Sequence, residues 1–564
     1  MRGAGRALLL AAVAVLVPSG TAAQVQSSDG PRALIFLTEG LSYERALDDP
    51  VVARVALSGG IGLMTPTLSP DELRADLQTL ADGRSTLVFP TPPEGVGRAV
   101  LGALEENAEA NRILVLIVVT EPSPAMRERS GGVTPLVMAQ GSPDLVPSGT
   151  LDGLTSATTR RDGIISNVDV APTVFGFHNV LVSEGIGAPV RVSDRSPTEF
   201  YLRYVDYREV VTPIGLAILA VALASLAAWL VILLGRWDVS PPVARSLGLV
   251  GLAAISLQVA LLPGSWLPDY SWSVLLPVLG LAGAVVFLAA LAAERRSPYA
   301  AVAVVAGAGL ALVVVDAVLG WPSLLTPLLG GSAMEGVRFF GLGNPYAGVV
   351  LAGSVLVAAF LVPWAGVALI AATALFAGLP WAGADLGGGV TLFAVAALWW
   401  ALRVRGRAGL TGFLVVAGVA VTGAVLLIAL HGLAAAPSHV TRAVEEARGV
   451  GGLLETFWTR LSLNVEATLG MPAVWPALIG VPVWLTVAWT RAGPFRPALE
   501  RRPAWRDGLV ALGVGSILGY VLNDTYGMTS VAFVYLSLGT VYPALVSRPR
   551  PTTPSPEGRA IIEG

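Results

Sequence analysis

A few polar residues stand out because the chain around them carries so little charge. Arg338 and Asn344 lie in GVRFFGLGNPYAGVV (336–350), and Asp385 lies in WAGADLGGG (381–389). His439, Arg442 and Arg460 fall in the segment 431–470, and Asn523 and Asp524 in LNDTYG (522–527). Arginine forms bidentate pairs with phosphate and carboxylate oxygens, so Arg338, Arg442 and Arg460 suit an anionic substrate. Asp385 or His439 could act as a general base, and Asn344, Asn523 and Asp524 could bind substrate through hydrogen bonds. The plainer alternative is loop chemistry, with glycines for turns and Asn or Asp as helix caps.

The elements that position these residues are membrane helices. The chain has 564 residues, of which 54% are hydrophobic and 13% charged, against about 25% charged in soluble domains. That composition places it among membrane proteins. A net charge of −3 gives no reason to expect a nucleic-acid partner. The absence of cysteine excludes disulfides and thiol chemistry, and three histidines (178, 431 and 439) are too few for a conventional zinc centre. No metal or cofactor is expected.

Residues 1–23 read as a secretory signal peptide: Arg2 and Arg6, an apolar core over 7–17, and a small-residue exit at Thr21-Ala22-Ala23. An uncleaved anchor helix is the alternative, and either one would export the chain beyond it. Residues 25–208 contain strand-like runs, ALIFLTEG (33–40) and ILVLIVVTEP (113–122), between helix-like ones, DELRADLQTLADG (71–83) and GVGRAVLGALEENAEAN (95–111). This alternation predicts an extracytoplasmic α/β domain with a mostly parallel sheet.

Residues 211–546 predict an all-α polytopic bundle. Apolar runs fall near 211–234, 245–263, 273–292, 300–320, 346–363, 365–381, 387–403, 409–431, 472–490, 507–522 and 527–546. Their lengths suit about eleven spans. With the α/β domain outside, nearly all loop arginines fall on the inner side, in GRWDVSPPVAR, ERRSPY, RVRGRAG, TRAGPFRPALERRPAWRD and the Pro-rich tail 547–564, expected to be disordered and cytoplasmic.

On this topology Asp316, Arg338, Asn344, Asp385, His439 and Asn523-Asp524 all gather on the face carrying the α/β domain. Polar groups at bilayer depth are costly and commonly mark a site. GLGN and ADLGGG should break helices, which is tolerated only inside protein or beside a wet cavity. Residues 431–470 predict one or two amphipathic helices on the outer surface, bent at Gly449, Gly451 and Gly452.

ALIFLTEGLSYERAL, VARVALSGGIGLMTP, GGVTPLVMAQGSP and TTRRDGIISNVDVAPTVFGFHNV keep the order of segments in alkaline-phosphatase-superfamily domains, which residues 31–185 resemble. The resemblance implies two metal ions held by aspartates and histidines. The matching positions depart from that pattern: Glu39 stands for the first Asp, Glu121 and Pro122 stand in TEPS for an Asp-His pair, and His178 lies beyond the metal-binding turns. Thr65 or Thr67 would occupy the nucleophile's place, without a metal to activate it. The domain is therefore expected to be a degenerate relative that binds or scaffolds.

The membrane part is similar to bacterial polytopic membrane proteins that pair such an ectodomain with a helical module, through Arg338–Asn344, 383–389, Ser438-His439-Val440 and Asn523-Asp524. The Gly-x-Gly-Asn-Pro element also resembles one in O-antigen ligases and polymerases, over about fifteen residues. That likeness implies external arginines holding lipid-pyrophosphate donors. The expectation is a multi-pass cell-envelope protein, among membrane lipids, acting on a lipid-linked or anionic glycan or phospho-substrate at the outer face. A transporter or flippase of an anionic lipid or sugar, or a non-catalytic scaffold or receptor, are the alternatives.

Overall fold

The structure, a computed structural model, describes residues 30–81, 85–180, 187–233, 240–335, 339–406, 409–433, 450–471, 474–491, 493–523 and 526–546. The N-terminal part is built on strands β1 (Arg32–Glu39), β2 (Gly60–Thr65), β3 (Thr86–Pro90), β4 (Ile113–Glu121), β5 (Thr134–Gly141), β6 (Gly153–Thr155), β7 (Ile164–Ser166) and β8 (Arg191–Ser193). They form one sheet in the order β3-β1-β4-β5-β2-β6-β8, with β7 also on β2.

The sheet is mostly parallel, as expected, with β5 and β8 running against the other six strands. β1 is parallel to β3 and β4, and β2 to β6 and β7, but β5 runs antiparallel to both its neighbours and β8 to β6. The reversal comes after helix α5 (Pro124–Ser130). Gly131 (φ 64°) and Gly132 (φ 89°) turn the chain straight back along β4, a conformation open to glycine.

Strand residues alternate between two cores, as a period of two dictates. Ala33, Ile35, Leu114 and Leu116 face helices α3 (Pro70–Thr79) and α6 (Val170–Phe177). Leu34, Phe36, Val115 and Ile117 face α1 (Tyr43–Asp48), α2 (Pro50–Ser58) and α4 (Val96–Glu106). The caps are those the sequence offers: Asp49 accepts from Val51 N and Val52 N, and Ser69 with Glu72 forms a capping box.

The domain boundary expected near 208–211 is the interior of a helix. α7 (Thr198–Leu233) runs without a break from the sheet domain into the helical region, a length of about 54 Å at 1.5 Å per residue. Its buried residues Tyr201, Tyr204, Val205, Tyr207 and Val210 recur at helical spacing and join an apolar cluster that begins in the sheet domain. The same apolar cluster includes Ala260, Leu261, Tyr270, Leu275 and Met334 of the helical region, so the two parts share a core.

The helical region continues with α8 (Pro241–Gly264), α9 (Trp272–Glu294), α10 (Pro298–Val318), α11 (Asn344–Ala358), α12 (Pro363–Gly378), α13 (Leu386–Arg403), α14 (Leu410–Gly432), α15 (Val450–Leu469), α16 (Trp475–Thr490), α17 (Arg496–Arg501), α18 (Pro503–Leu522) and α19 (Gly527–Val546). Among the described residues six of these, α8, α9, α10, α13, α14 and α19, are long and apolar enough to cross a membrane. α11, α12 and α16 are apolar but shorter. α11 and α19 are the most enclosed, while α9 and α14 expose most of their apolar surface.

From Val450 to Leu469 α15 is one continuous helix that includes Gly451 and Gly452, and Gly449 of the expected bend lies outside the described residues. The helix docks through a narrow stripe, since Asn464 and Thr468 are buried while Trp458, Leu463 and Leu469 stay exposed.

Candidate functional site

The sheet domain sits on one end of the bundle, and Arg161 fastens it there. Its guanidinium donates to Phe339 O (3.1 Å), Gly320 O (3.0 Å) and Trp321 O (3.0 Å). Burial pulls Arg161 below the ordinary arginine value, and the nearby charge of Asp316 pulls it back up. Asp316 is itself held by Trp266 Nε1 (2.7 Å) and by Ser323, through both its N–H and hydroxyl. Beside it, Arg203 of α7 donates to Ser265 O (3.1 Å) and Thr326 Oγ1 (3.0 Å), and Tyr207 donates to Pro327 O (2.8 Å). The loops beneath the domain thus give up their backbone carbonyls to its side chains.

Arg160 turns the other way. Its left-handed backbone (φ 55°), rare outside glycine, swings its side chain out to lie 5.2 Å over the Phe340 ring. It is exposed, and among the described residues no carboxylate comes within ion-pairing distance of it.

Phe340 leads into the glycine element. Gly341 (φ 92°) packs on the backbone of Gly383, and Leu342 N–H donates to Gly383 O. Trp321 Nε1 donates to Ala382 O (3.1 Å). The two loops that precede α11 and α13 are therefore hydrogen-bonded together, which brings the starts of both helices side by side.

Asp385 is almost fully buried and caps α13, accepting from Gly388 N (3.1 Å). A side chain at Gly387 would strike Asn523 Oδ1 and Leu522 O, so Asn523 lies directly on the first turn of that helix. Asn523 Nδ2 reaches Met528 Sδ (3.5 Å). Asn344 opens α11 and is buried, and its neighbour Pro345 packs on Gly527. Asn464 Nδ2 donates to Tyr520 O (2.7 Å) and Asn523 O (3.4 Å), which brings α15 to the same place.

Asp385, Asn344 and Asn523 therefore lie on adjoining ends of α11, α13, α18 and α19. The backbone of Arg460 lies one helical turn from Asn464 on α15, about 6 Å along the axis. Arg338, His439, Arg442 and Asp524 lie outside the described residues. Two groups that sequence reasoning passed over join the site: the Arg160-Arg161 pair, and His431, whose Nε2 meets Gly378 O (3.0 Å) at the top of α14. The doubled arginine in TTRRDG was the available signal.

The end of the sheet where a phosphatase centre would stand is occupied by ion pairs. Glu39 and Glu121 are partners in register at the ends of β1 and β4. Glu39 is paired with Arg74, and Glu121 with Arg127. Thr65 Oγ1 donates to Ile165 O (3.2 Å), and Thr67 Oγ1 lies 2.6 Å from Ser166 Oγ. Asp169 is consumed by Ser156 Oγ, Ser166 N and Ala188 N, and His178 sits against Thr86 Oγ1 (3.1 Å). Among the described residues no group of three His, Asp or Glu could hold a metal ion. This donor set does not fit a two-metal centre, because arginines already occupy its carboxylates.

Comparison with family models, with curated proteins and with solved structures finds no match. What fold and site define is a class: an α/β domain clamped onto a bundle containing helices able to span a membrane.

Proposed function

We propose that this is a multi-pass cell-envelope enzyme whose α/β domain lies outside the membrane and roofs a site for a lipid-linked, phosphate-bearing glycan donor. The observation that carries the reading is the adjacency of Asp385, Asn344 and Asn523 around the starts of α11 and α13, beneath a domain whose Arg160 carries an uncompensated charge among the described residues. Helix N-termini and arginines both favour anions.

In this reading Arg338, Arg442 and Arg460 hold the pyrophosphate and stabilise its departing charge. Asp385 or His439 takes the proton from the attacking hydroxyl of the acceptor, and capping by Gly388 N holds the Asp385 carboxylate still for that role. The α/β domain presents the acceptor. In this reading the domain is a degenerate relative of the alkaline phosphatases that binds or scaffolds and does not hydrolyse phosphate esters.

Transport is the less favoured reading. Buried hydroxyls within the bundle mostly serve their own helices, as in Ser256 to Leu252 O, Thr373 to Ile370 O and Thr540 to Leu536 O. The buried Asp507 lies at the far end with Arg403 and Arg506. A carrier would need polar groups through the middle.

The test uses full-length protein in nanodiscs with a polyprenyl-diphosphate-linked oligosaccharide and an acceptor sugar. Release of polyprenyl diphosphate is expected, and Asp385→Asn together with Arg338→Ala should slow it by about 10²-fold or more. A wild-type protein that neither releases nor binds the donor overturns the proposal.

A further inference from the structure

Two apolar helices of the bundle are short for a membrane of ordinary thickness. α12 and α16 hold 16 residues each, a length of about 24 Å at 1.5 Å per residue. A hydrocarbon core is about 30 Å thick. Both helices nevertheless run from one end of the bundle to the other. At the site end, a Cβ on Gly389 of α13 would meet Gly378 of α12, and Gly387 lies against Asn523. At the far end, Gly366 of α12 and Gly508 of α18 face the same Trp399 ring, one turn from the Arg403–Asp507 ion pair (3.3 Å). α16 keeps step with α19, and α18 with both. Gly480 lies on Phe533, Trp484 Nε1 donates to Ser537 Oγ (3.2 Å), and Trp505 Nε1 donates to Gly539 O (2.7 Å).

Exposed tryptophans bound each of the two helices. Trp475 and Trp489 stand at the ends of α16, with Ile479, Pro482 and Thr486 exposed on the same face between them. The separation of the two rings along the axis is about 21 Å. Trp364 opens α12, and Trp381 follows its end in a turn closed by Ala382 N–H on Leu379 O (3.0 Å). From Trp364 to the end of α12 is again about 21 Å. No charged residue falls between the members of either pair. α9 gives the contrast. Its exposed Trp272 lies about 33 Å along the axis from Glu294, which pairs with Arg245. The two short helices also have different main partners, α13 and α11 for α12, α18 and α19 for α16. The shortfall is therefore repeated and is not one local irregularity.

We propose that the bilayer thins against α12 and α16, to about 21–24 Å of hydrocarbon, and regains ordinary thickness at α9. Tryptophan is amphipathic and settles at headgroup level, so each pair marks the two edges of the layer covering its helix. A short span is met by tilt, by thinning or by a protein neighbour. Tilt lowers the height a helix covers and so widens the shortfall. A protein neighbour gives no reason for amphipathic rings at both ends with uncharged residues between, whereas two headgroup layers do. The consequence is one of depth. Asp385 and Asn523 lie near the level of Trp381, so a lipid phosphate drawn inward with the thinned leaflet would reach them without leaving its headgroup layer. The inference goes beyond the proposed function and does not depend on it.

The chain has no cysteine, so single cysteines can carry nitroxide labels in the full-length protein. Trp475→Cys and Thr490→Cys report the two ends of α16, and Ile479→Cys reports the face between them. In dioleoyl-phosphatidylcholine vesicles a polar nickel chelate should relax both end labels about tenfold more than the Ile479 label, which dissolved oxygen should favour. An end label as shielded from the chelate as the Ile479 label would mean a helix sunk in a bilayer of ordinary thickness, and would overturn the proposal. Labels shielded from both reagents and broadened by spin–spin coupling would mean that a second copy covers the face, and would overturn it too. Thermal unfolding of unlabelled wild type is the readout that no substitution disturbs. Its melting temperature should be highest in dimyristoleoyl bilayers and fall by several degrees in dierucoyl ones. A melting temperature that stays level or rises with chain length would overturn the thinning. No substrate enters either measurement, so an inactive protein would tell against the proposed function and leave this inference standing.

Discussion

Removing the Arg161 guanidinium should loosen the α/β domain from the bundle. Its three acceptors are backbone carbonyls at Gly320, Trp321 and Phe339, in the loops beyond α10 and before α11. Hydrogen bonds from a charged donor contribute about 1.5–3 kcal/mol each when buried. Two of these bonds are partly buried and the third, to Gly320 O, is exposed. Counting the two at the low end and the third as nearly nothing, Arg161→Ala should cost about 3 kcal/mol at the interface. That figure corresponds to a change of roughly 100-fold in the opening equilibrium. Arg161→Lys should recover less than half, because a point charge cannot span three carbonyls in a fork. The assay is amide hydrogen exchange over 318–343 and 156–164 in full-length protein, with thermal unfolding alongside. Exchange accelerated about 100-fold in these two segments, with β1 and β4 unchanged, is the expected pattern. Exchange in 318–343 that is the same in wild type and Arg161→Ala would refute the latch.

Three further outcomes come from the same geometry. A methyl at Gly389 would sit 2.8 Å from the Gly378 backbone, so Gly389→Ala should push α12 from α13 and lower stability by about 1–3 kcal/mol, read as a fall in melting temperature. Asn464→Leu removes the amide that α15 gives to Tyr520 O and Asn523 O; exchange across 450–469 should rise while α18 stays protected. Tyr201 donates to Glu44 Oε1 (3.1 Å), and its burial, with that carboxylate, pushes its phenol up to about 12. A phenol raised in the folded state stabilises it fully below the ordinary value near 10, and that contribution is lost as pH climbs through 12. Ultraviolet titration of wild type against Tyr201→Phe should therefore show the missing phenol as one that ionises well above the ordinary value, and an ionisation near 10 would contradict the contact.

The α/β half and the helical half were both legible, because strand runs such as ALIFLTEG and spans such as 410–432 are local patterns of apolar residues. The grouping of Asp385, Asn344 and Asn523 was legible for a related reason. Once the apolar runs are placed in a bilayer, alternate connections must fall on the same face, and polar residues in them can only meet there. The reversal of β5 was hidden, since that strand is equally apolar whichever way it runs and the Gly131-Gly132 turn sends it back. The continuity of α7 was hidden because a helix that leaves a core and enters a bundle changes its burial partners without changing its period. Gly451 and Gly452 read as a bend because glycine lowers helix propensity, yet both are helical within α15, where propensity is a weak guide against tertiary context.

By itself the sequence determined that this chain holds an α/β domain and membrane-type helices, and which loops carry the polar residues, since hydropathy and helix length are properties of short stretches. Tertiary structure alone decided that Arg160 and Arg161 belong to those loops. The partners of Arg161 are the carbonyl oxygens of Gly320, Trp321 and Phe339, groups every residue possesses, and only the fold selects which of them lie within reach.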